Sequence, residues 1–268
     1  MTTEDSTPLV AVVIPAFNEE NYIADTLRAI RDQWFDSVLH RKVLHGFWIV
    51  VVDNNSTDRT ADIVEAVAAE PSSVEIELIT ETEAGSGCAA DAGFRHAISR
   101  GAVYVARTDA DTMPAQDWLA NLLVPLVNGK RLVGGRVRAK PGYGVNTLAF
   151  NAIGRLWRVG HLETWWRTRK RPDEERRSFA VVGNNMATDA DIYLECGGFP
   201  RTRMSVVDDD MVFQRRVRAL TGASGIALRK EAIAYTSLRR LKAFGVRDFV
   251  SWGRSEDRAG QKRDADVR

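Results

Sequence analysis

The chain has 268 residues, of which 44% are hydrophobic, and sets 37 Lys and Arg against 36 Asp and Glu for a formal charge of +1. That is enough chain for one large α/β domain or two small ones, and the near-neutral balance gives no global pull toward nucleic acid. Two distant cysteines, Cys88 and Cys196, fit no metal spacing and are expected as free thiols; no apolar run approaches the ~20 residues that span a bilayer. The polar, acidic start from Met1 to Pro8 is unlike a signal peptide, so a cytoplasmic, soluble protein is expected, unless it rests on a membrane surface.

Leu9–Ile14 is a continuous apolar run ended by Pro15, as expected of a parallel strand buried on both faces. A helix follows with Ile23, Leu27, Ile30 and Trp34 on one face. Phe47–Val52 is a second buried strand, ending on Asp53-Asn54-Asn55-Ser56-Thr57-Asp58, whose Ser-Thr-Asp group offers cap oxygens to a helix through Val67. Val74–Ile79 reads as a third strand, and 85–99 as a loop and helix with Ala90, Phe94, Ala97 and Ile98 inward. A fourth strand begins at Val103, and a helix covers Trp118–Val127. Four βα units in succession predict a parallel sheet with helices on both faces, and ligands in such sheets bind beyond the carboxyl ends of the strands.

Polar clusters stand at those ends: Asn18-Glu19-Glu20, Asp53-Asn54-Asn55 and Asp109-Ala110-Asp111. On an extended backbone, residues two apart point the same way, so Asp109 and Asp111 would face one cleft. Two facing carboxylates repel unless a cation sits between them, and Mg²⁺ or Mn²⁺ bound to a diphosphate suits that donor set. An isolated D-x-D is common by chance, and its company carries the argument. Gly85-Ser86-Gly87-Cys88-Ala89-Ala90 imitates a dinucleotide fingerprint. It follows the third strand rather than the first, however, and Glu81 and Glu83 would repel a pyrophosphate there. Gly87 and its neighbours are expected to let backbone pass close to a nucleotide or to the adjoining strand.

Downstream, Leu132–Val137 is a strand whose two glycines suggest close backbone approach. Residues 146–171 start helical, with Ile153, Leu156 and Trp157 sharing a face. Trp165-Trp166 then meets Arg167, Arg169, Lys170, Arg171, Arg176 and Arg177. Aromatics among cations in the 157–177 stretch serve an acceptor, a lipid headgroup layer, or no more than a solvated loop. Gly197-Gly198-Phe199 ends a helix through Ile192 and Leu194. Asp208-Asp209-Asp210 opens a helix with Phe213, Val217 and Leu220 on one face, and Ala232–Tyr235 looks like a last strand.

Val13-Ile14-Pro15-Ala16-Phe17-Asn18-Glu19-Glu20, Val51-Val52-Asp53-Asn54-Asn55-Ser56-Thr57-Asp58, Asp109-Ala110-Asp111, Gly183-Asn184-Asn185-Met186-Ala187, Gly197-Gly198-Phe199 and Asp208-Asp209-Asp210 together resemble the family 2 glycosyltransferases, across residues 9 to 220. The resemblance implies a GT-A fold, with a mostly parallel central sheet flanked by helices. It implies inverting transfer from a nucleotide-diphospho-sugar to an acceptor hydroxyl, assisted by a divalent metal, with no role for nucleic acid. Pro15, Ala16, Phe17 and Glu19 match the loop around the nucleoside, and Asp53 the carboxylate that meets the base, with Asn55 beside it. Asp109 matches the position near ribose and metal, and Asp111 the metal ligand. Asn184 and Asn185 would line the sugar-diphosphate pocket, with Trp157 on the acceptor side. Asp210 is the expected general base and Asp209 the second choice. Two departures stand out. Ala90-Asp91 replaces the Arg-Asn common in relatives, and no His follows the last strand, where Arg239 or Arg240 could neutralise the diphosphate instead. Arg107 is also unusual on an apolar strand.

The organisation expected is a flexible 1–8, a nucleotide-sugar half over 9–128, an acceptor and catalytic half of the same domain over 129–253, and a mobile charged tail over 254–268. A sugar-phosphate nucleotidyltransferase would want a glycine-rich basic loop after the first strand, and here that loop is acidic. A non-catalytic nucleotide-sugar-binding homologue would keep Asp53 and lack a competent base.

Overall fold

The computed structural model describes residues 9–33, 46–140, 150, 166, 169–172, 181–201 and 209–239. In chain order the elements are β1 (Val10–Ala16), α1 (Ile23–Arg31), β2 (Trp48–Asp53), α2 (Thr60–Ala68), β3 (Ile76–Thr80), α3 (Ser86–Ser99) and β4 (Tyr104–Thr108). They continue with β5 (Thr112–Pro114), α4 (Trp118–Val127), β6 (Leu132–Ala139), β7 (Asn185–Asp189), α5 (Ala190–Glu195), α6 (Asp209–Thr221) and β8 (Ile226–Thr236). One eight-stranded sheet runs in the order β3-β2-β1-β4-β7-β6-β8-β5. Only β7 and β5 run against the other strands.

The pleat of β1 divides the core. Val10, Val12 and Ile14 face a cluster with Leu27 of α1, Val64 of α2 and Trp118 of α4, while Ala11 and Val13 face Phe94 of α3, Tyr193 of α5 and Phe213 of α6. Successive residues of a strand point to opposite faces, so an unbroken apolar run is what a strand covered by helices on both sides requires. The helix α3 lies so close to the sheet that a Cβ on Gly93 would collide with Val13 and Val52. The helix over 118–127 has the expected bounds.

Other expectations are corrected. β3 starts at Ile76, two residues later than expected, and β8 reaches back to Ile226. Leu220 is exposed, and Gln214 and Arg218 join Phe213 and Val217 on the buried side of α6. The strands β5 and β7 were not foreseen. Trp34, Trp157, Trp165, Asp208, Arg240, the 157–177 stretch apart from 166 and 169–172, and both termini (1–8 and 240–268) lie outside the described residues.

The insertion of β7 depends on one side chain. Asn185 is fully buried; its Oδ1 accepts from Trp118 Nε1 at 2.8 Å, and its Nδ2 donates to the carbonyls of Arg136 and Ala232 at 3.2 and 3.1 Å. A Cβ on Gly135 would overlap this amide, so the close approach suggested by the β6 glycines is real, and the β6–β8 register slips there. Asn185→Ala would orphan an indole N–H and remove a donor from two carbonyls. It is expected to cost about 2–4 kcal/mol, read as a lower urea midpoint; an unchanged midpoint would contradict this role.

Candidate active site

The carboxyl ends of β1, β2 and β4 stand side by side. After β1, Asn18 adopts φ 50° and ties its loop to the one after β2: its amide donates to Ser56 Oγ at 2.9 Å, and its Oδ1 accepts from the Thr57 amide at 2.7 Å. Glu19 is anchored by its amide donating to Thr60 Oγ1 at 2.7 Å. At the end of β2, Asp53 Oδ1 is buried and meets no donor among the described residues. A buried, unanswered carboxylate oxygen costs stability. Its neighbours do other work. Asn54 donates to the carbonyls of Glu81 and Glu83 and accepts from the Gly85 amide, and Asn55, at φ 67°, donates to the carbonyls of Glu81 and Thr82. Both asparagines brace the 81–85 loop. Pro15 and Phe17 are partly buried beside them, and Ala16 is buried.

Asp109-Ala110-Asp111 is a turn, not an extended strand end: the Thr112 amide closes it on the Asp109 carbonyl at 3.1 Å. Asp109 Oδ1 lies 4.0 Å from Arg107. Asp111 accepts from Ser237 Oγ at 2.5 Å and forms an ion pair with Arg239 Nε at 3.0 Å. These meet because β5, directly after the turn, pairs antiparallel with β8 (Thr112 opposite Thr236), so the sheet curls until its far edge returns to the end of β4. Arg239 also grips both oxygens of Glu19 and stacks 5.2 Å from the Tyr22 ring. One guanidinium thus serves two buried carboxylates. Burial pushes the Glu19 carboxyl up despite Arg239, while Arg239, although burial opposes its charge, is held above its ordinary range by Glu19 and Asp111.

Across the rim, Asp210 stands at the start of α6. Its Oδ2 accepts from the Gly183 amide at 2.9 Å and its Oδ1 from the Met211 amide at 2.7 Å. Burial, reinforced by the charge of Asp209, pushes its carboxyl up to about 6. Asp209 goes the other way: burial would raise it, but Arg107, bonded at 3.0 Å, holds it below the usual carboxylate range. Ser86 Oγ donates to the same oxygen at 3.0 Å. Two adjacent acids with opposed shifts suit an ionised partner beside a base that titrates near neutrality.

Of the expected site residues, Glu19, Asp111 and Arg239 meet at one point, and Asp209 and Asp210 at another with Gly183. Asn184 is partly exposed and holds Thr108 Oγ1 through its carbonyl at 3.1 Å. Asn185 turns into the core, where Trp118 and the carbonyls of Arg136 and Ala232 take up its amide. Gly87 has a packing reason: a Cβ there would collide with the Pro200 carbonyl and crowd Asp209. Asp91, in place of the common Asn, is buried against Tyr193, Arg95 and Arg201. Sequence reasoning missed Ser86 and Ser237; nothing in a lone serine signals a partner more than a hundred residues away.

A divalent ion is a chemical fit for Asp109 and Asp111, which offer hard oxygen donors. Among the described residues no group of three or more His, Cys, Asp or Glu could hold a metal ion by itself. Mg²⁺ and Mn²⁺ commonly bind through one or two carboxylates together with substrate phosphates, so an ion here would draw its remaining ligands from elsewhere.

A curled, mostly parallel sheet with an acidic turn at the end of its central strand is the architecture of the GT-A glycosyltransferases. The chain belongs to glycosyl transferase family 2, whose model matches residues 11–193. It is similar to the glycosyltransferase AglE of Haloferax volcanii, 33% identical over 131 residues, covering 48% of this chain and 40% of that protein. The undecaprenyl-phosphate 4-deoxy-4-formamido-L-arabinose transferase of Pseudomonas aeruginosa is 31% identical over 132 residues, covering 49% and 36%. The match spans well under half the length of these curated relatives. Among solved structures, a mannosyltransferase from Pyrobaculum calidifontis in complex with GDP-Man and Mn²⁺ shares the fold at TM-score 0.60 and 23% identity, over 95% of this chain and 66% of that one. Glucosyl-3-phosphoglycerate synthase from Mycobacterium tuberculosis, solved with Mn²⁺ and UDP, does so at 0.55 and 17%, over 89% and 75%. Among the described residues no helix is long and apolar enough to cross a membrane.

Proposed function

We propose that this glycosyltransferase moves a sugar from a nucleotide-diphospho-sugar to an acceptor hydroxyl with inversion, Asp210 acting as general base. The observation that carries the reading is Asp210 itself: a carboxylate fixed by two backbone amides, raised to about 6, beside a second acid kept ionised by Arg107. In the reaction the acceptor oxygen bonds to the anomeric carbon as its proton passes to Asp210. The bond to the diphosphate breaks, and its electron pair leaves with the nucleoside diphosphate. Arg239 offers charge to that leaving group, Asp53 accepts from the base, and Glu19 with Phe17 frames the nucleoside. A divalent ion held by Asp109 and Asp111 would offset charge on the departing diphosphate.

The family comparison and the acidic first loop both argue against a nucleotidyltransferase. The test is a thermal-shift panel of UDP, GDP and dTDP with and without Mn²⁺, followed by NMR of the product anomer. One nucleoside diphosphate at 100 times its Kd should stabilise by roughly 2.7 kcal/mol, and the product should be inverted. No shift with any of them, or a retained anomer, would overturn the reading.

A further inference from the structure

Arg107 is 4% exposed and sits within β4, between the fully buried Ala106 and Thr108. A charge in such a place is costly unless paired, so its contacts show what it serves. Nη1 donates to Asp209 at 3.0 Å, Nη2 donates to Ser86 Oγ at 3.1 Å, and Nη2 lies 4.0 Å from Asp109. The guanidinium stacks 5.0 Å from the Phe199 ring. On another side it is packed against Gly183, where a Cβ would stand 3.3 Å from its central carbon. Its Nε is buried and meets no partner among the described residues.

Two of these neighbours are the groups that fix Asp210. The Gly183 amide holds Asp210 Oδ2, and Asp209 Oδ1 accepts from the Asp210 amide at 3.0 Å. A third neighbour, Asp109, opens the acidic turn on the donor side. We propose that Arg107 is a positioning residue that locks the Gly183 turn and Asp209 together, so that Asp210 is held for proton abstraction in register with the acidic turn. The inference rests on Asp210 as the base. It assigns the misfit charge of β4 to that role rather than to donor binding.

Among the described residues the charged groups facing Asp210 are Asp209, on its own helix, and Arg107, on β4; Gly183 and Met211 present only amides. Without Arg107 two adjacent buried acids must share a proton, which raises the second ionisation of the pair.

The test compares Arg107→Met and Arg107→Lys with the parent in three measurements. One is a ¹³C-carboxyl NMR titration, with Asp210→Asn to assign the resonance. The second is calorimetric binding of UDP and GDP with Mn²⁺, and the third is release of nucleoside diphosphate from UDP-glucose or GDP-mannose. In Arg107→Met the Asp210 resonance should titrate at least one pH unit higher and kcat should fall 100-fold or more, with nucleotide affinity within twofold. Arg107→Lys, which keeps the charge but loses the fork, should leave the titration within half a unit and still lose about tenfold in kcat.

If Arg107→Met does not fold, the double variant Arg107→Met/Asp209→Asn removes both charges together, and its kcat should remain depressed. The proposal is overturned by an unmoved Asp210 titration in Arg107→Met, by parental kcat in the double variant, or by loss of nucleotide affinity in proportion to kcat. Full turnover in Asp210→Asn would instead sink the base assignment.

Discussion

Replacing Asp210 by Asn is expected to reduce turnover by about 10²–10⁴-fold while raising the melting temperature. The two effects share one origin. Burial and the neighbouring Asp209 lift the carboxyl from 3.8 to about 6 in the folded protein. The protonated form therefore suits the fold. Its favourable contribution is complete below about pH 4 and is lost as the pH climbs through about 6, so at neutral pH the ionised group strains the structure. Asn removes the charge, worth roughly 1–3 kcal/mol at pH 7.5, or about 2–4 °C for each kcal/mol in a chain of this size, and keeps an oxygen for the Gly183 amide, but its NH2 faces the Met211 amide and offsets part of that gain. At pH 4, where the gain is absent, the variant should melt no higher than the parent. In the parent, kcat/KM should rise with pH through a limb near 6, as a base that must lose its proton requires. Calorimetric scans across pH 4–8 and a pH–rate profile check both halves; an Asn variant less stable at pH 7.5 than at pH 4, relative to parent, would contradict the first.

Arg239→Ala is expected to have the second largest effect. Glu19 and Asp111 share this guanidinium, their side chains being only 10% and 11% exposed, and its loss leaves two carboxylates facing one another. Breaking a buried pair costs about 3–5 kcal/mol, and the partial exposure here reduces that to about 2–4 kcal/mol. The deficit should be greatest at neutral pH and shrink as acid protonates Glu19, whose carboxyl burial pushes up. Millimolar Mn²⁺ should recover more stability in the variant than in the parent, because a cation then answers acids that Arg239 otherwise neutralises. UDP or GDP affinity should fall at the same time. Urea unfolding with and without Mn²⁺ gives the answer, and identical midpoints for parent and variant would dismiss the shared-cation account.

The strands β1 and β2 were legible because complete burial demands an unbroken apolar run, and the helix over 118–127 because its apolar content outlasts any strand. β7 was not. Asn185-Met186-Ala187-Thr188-Asp189 lacks the β-branched or aromatic density of a strand, and it is held by a polar side chain reaching three other elements. The three residues of β5, one a proline, are too short to show a period. The acidic pair stands beyond β4, where the run of the chain put it, on a turn rather than an extended strand end, with Asp109 near Arg107 and Asp111 near Arg239. Arg107 was visible as a misfit, but its partner at Asp209 is a hundred residues away and only the fold brings them together. Of the two asparagines after Gly183, the motif alone could not say that one faces the core.

The Glu19–Arg239 contact joins positions 220 residues apart, and this has a consequence for biogenesis. A nascent chain still lacking β8 can already present Asp53, Asp109 and Asp111, yet the guanidinium that joins Glu19 to Asp111 arrives only when residue 239 docks beside the loop after β1. Competence to hold a charged donor should therefore emerge only once residue 239 has left the ribosome, and stalled intermediates in which it has not should hold UDP or GDP more weakly than those in which it has.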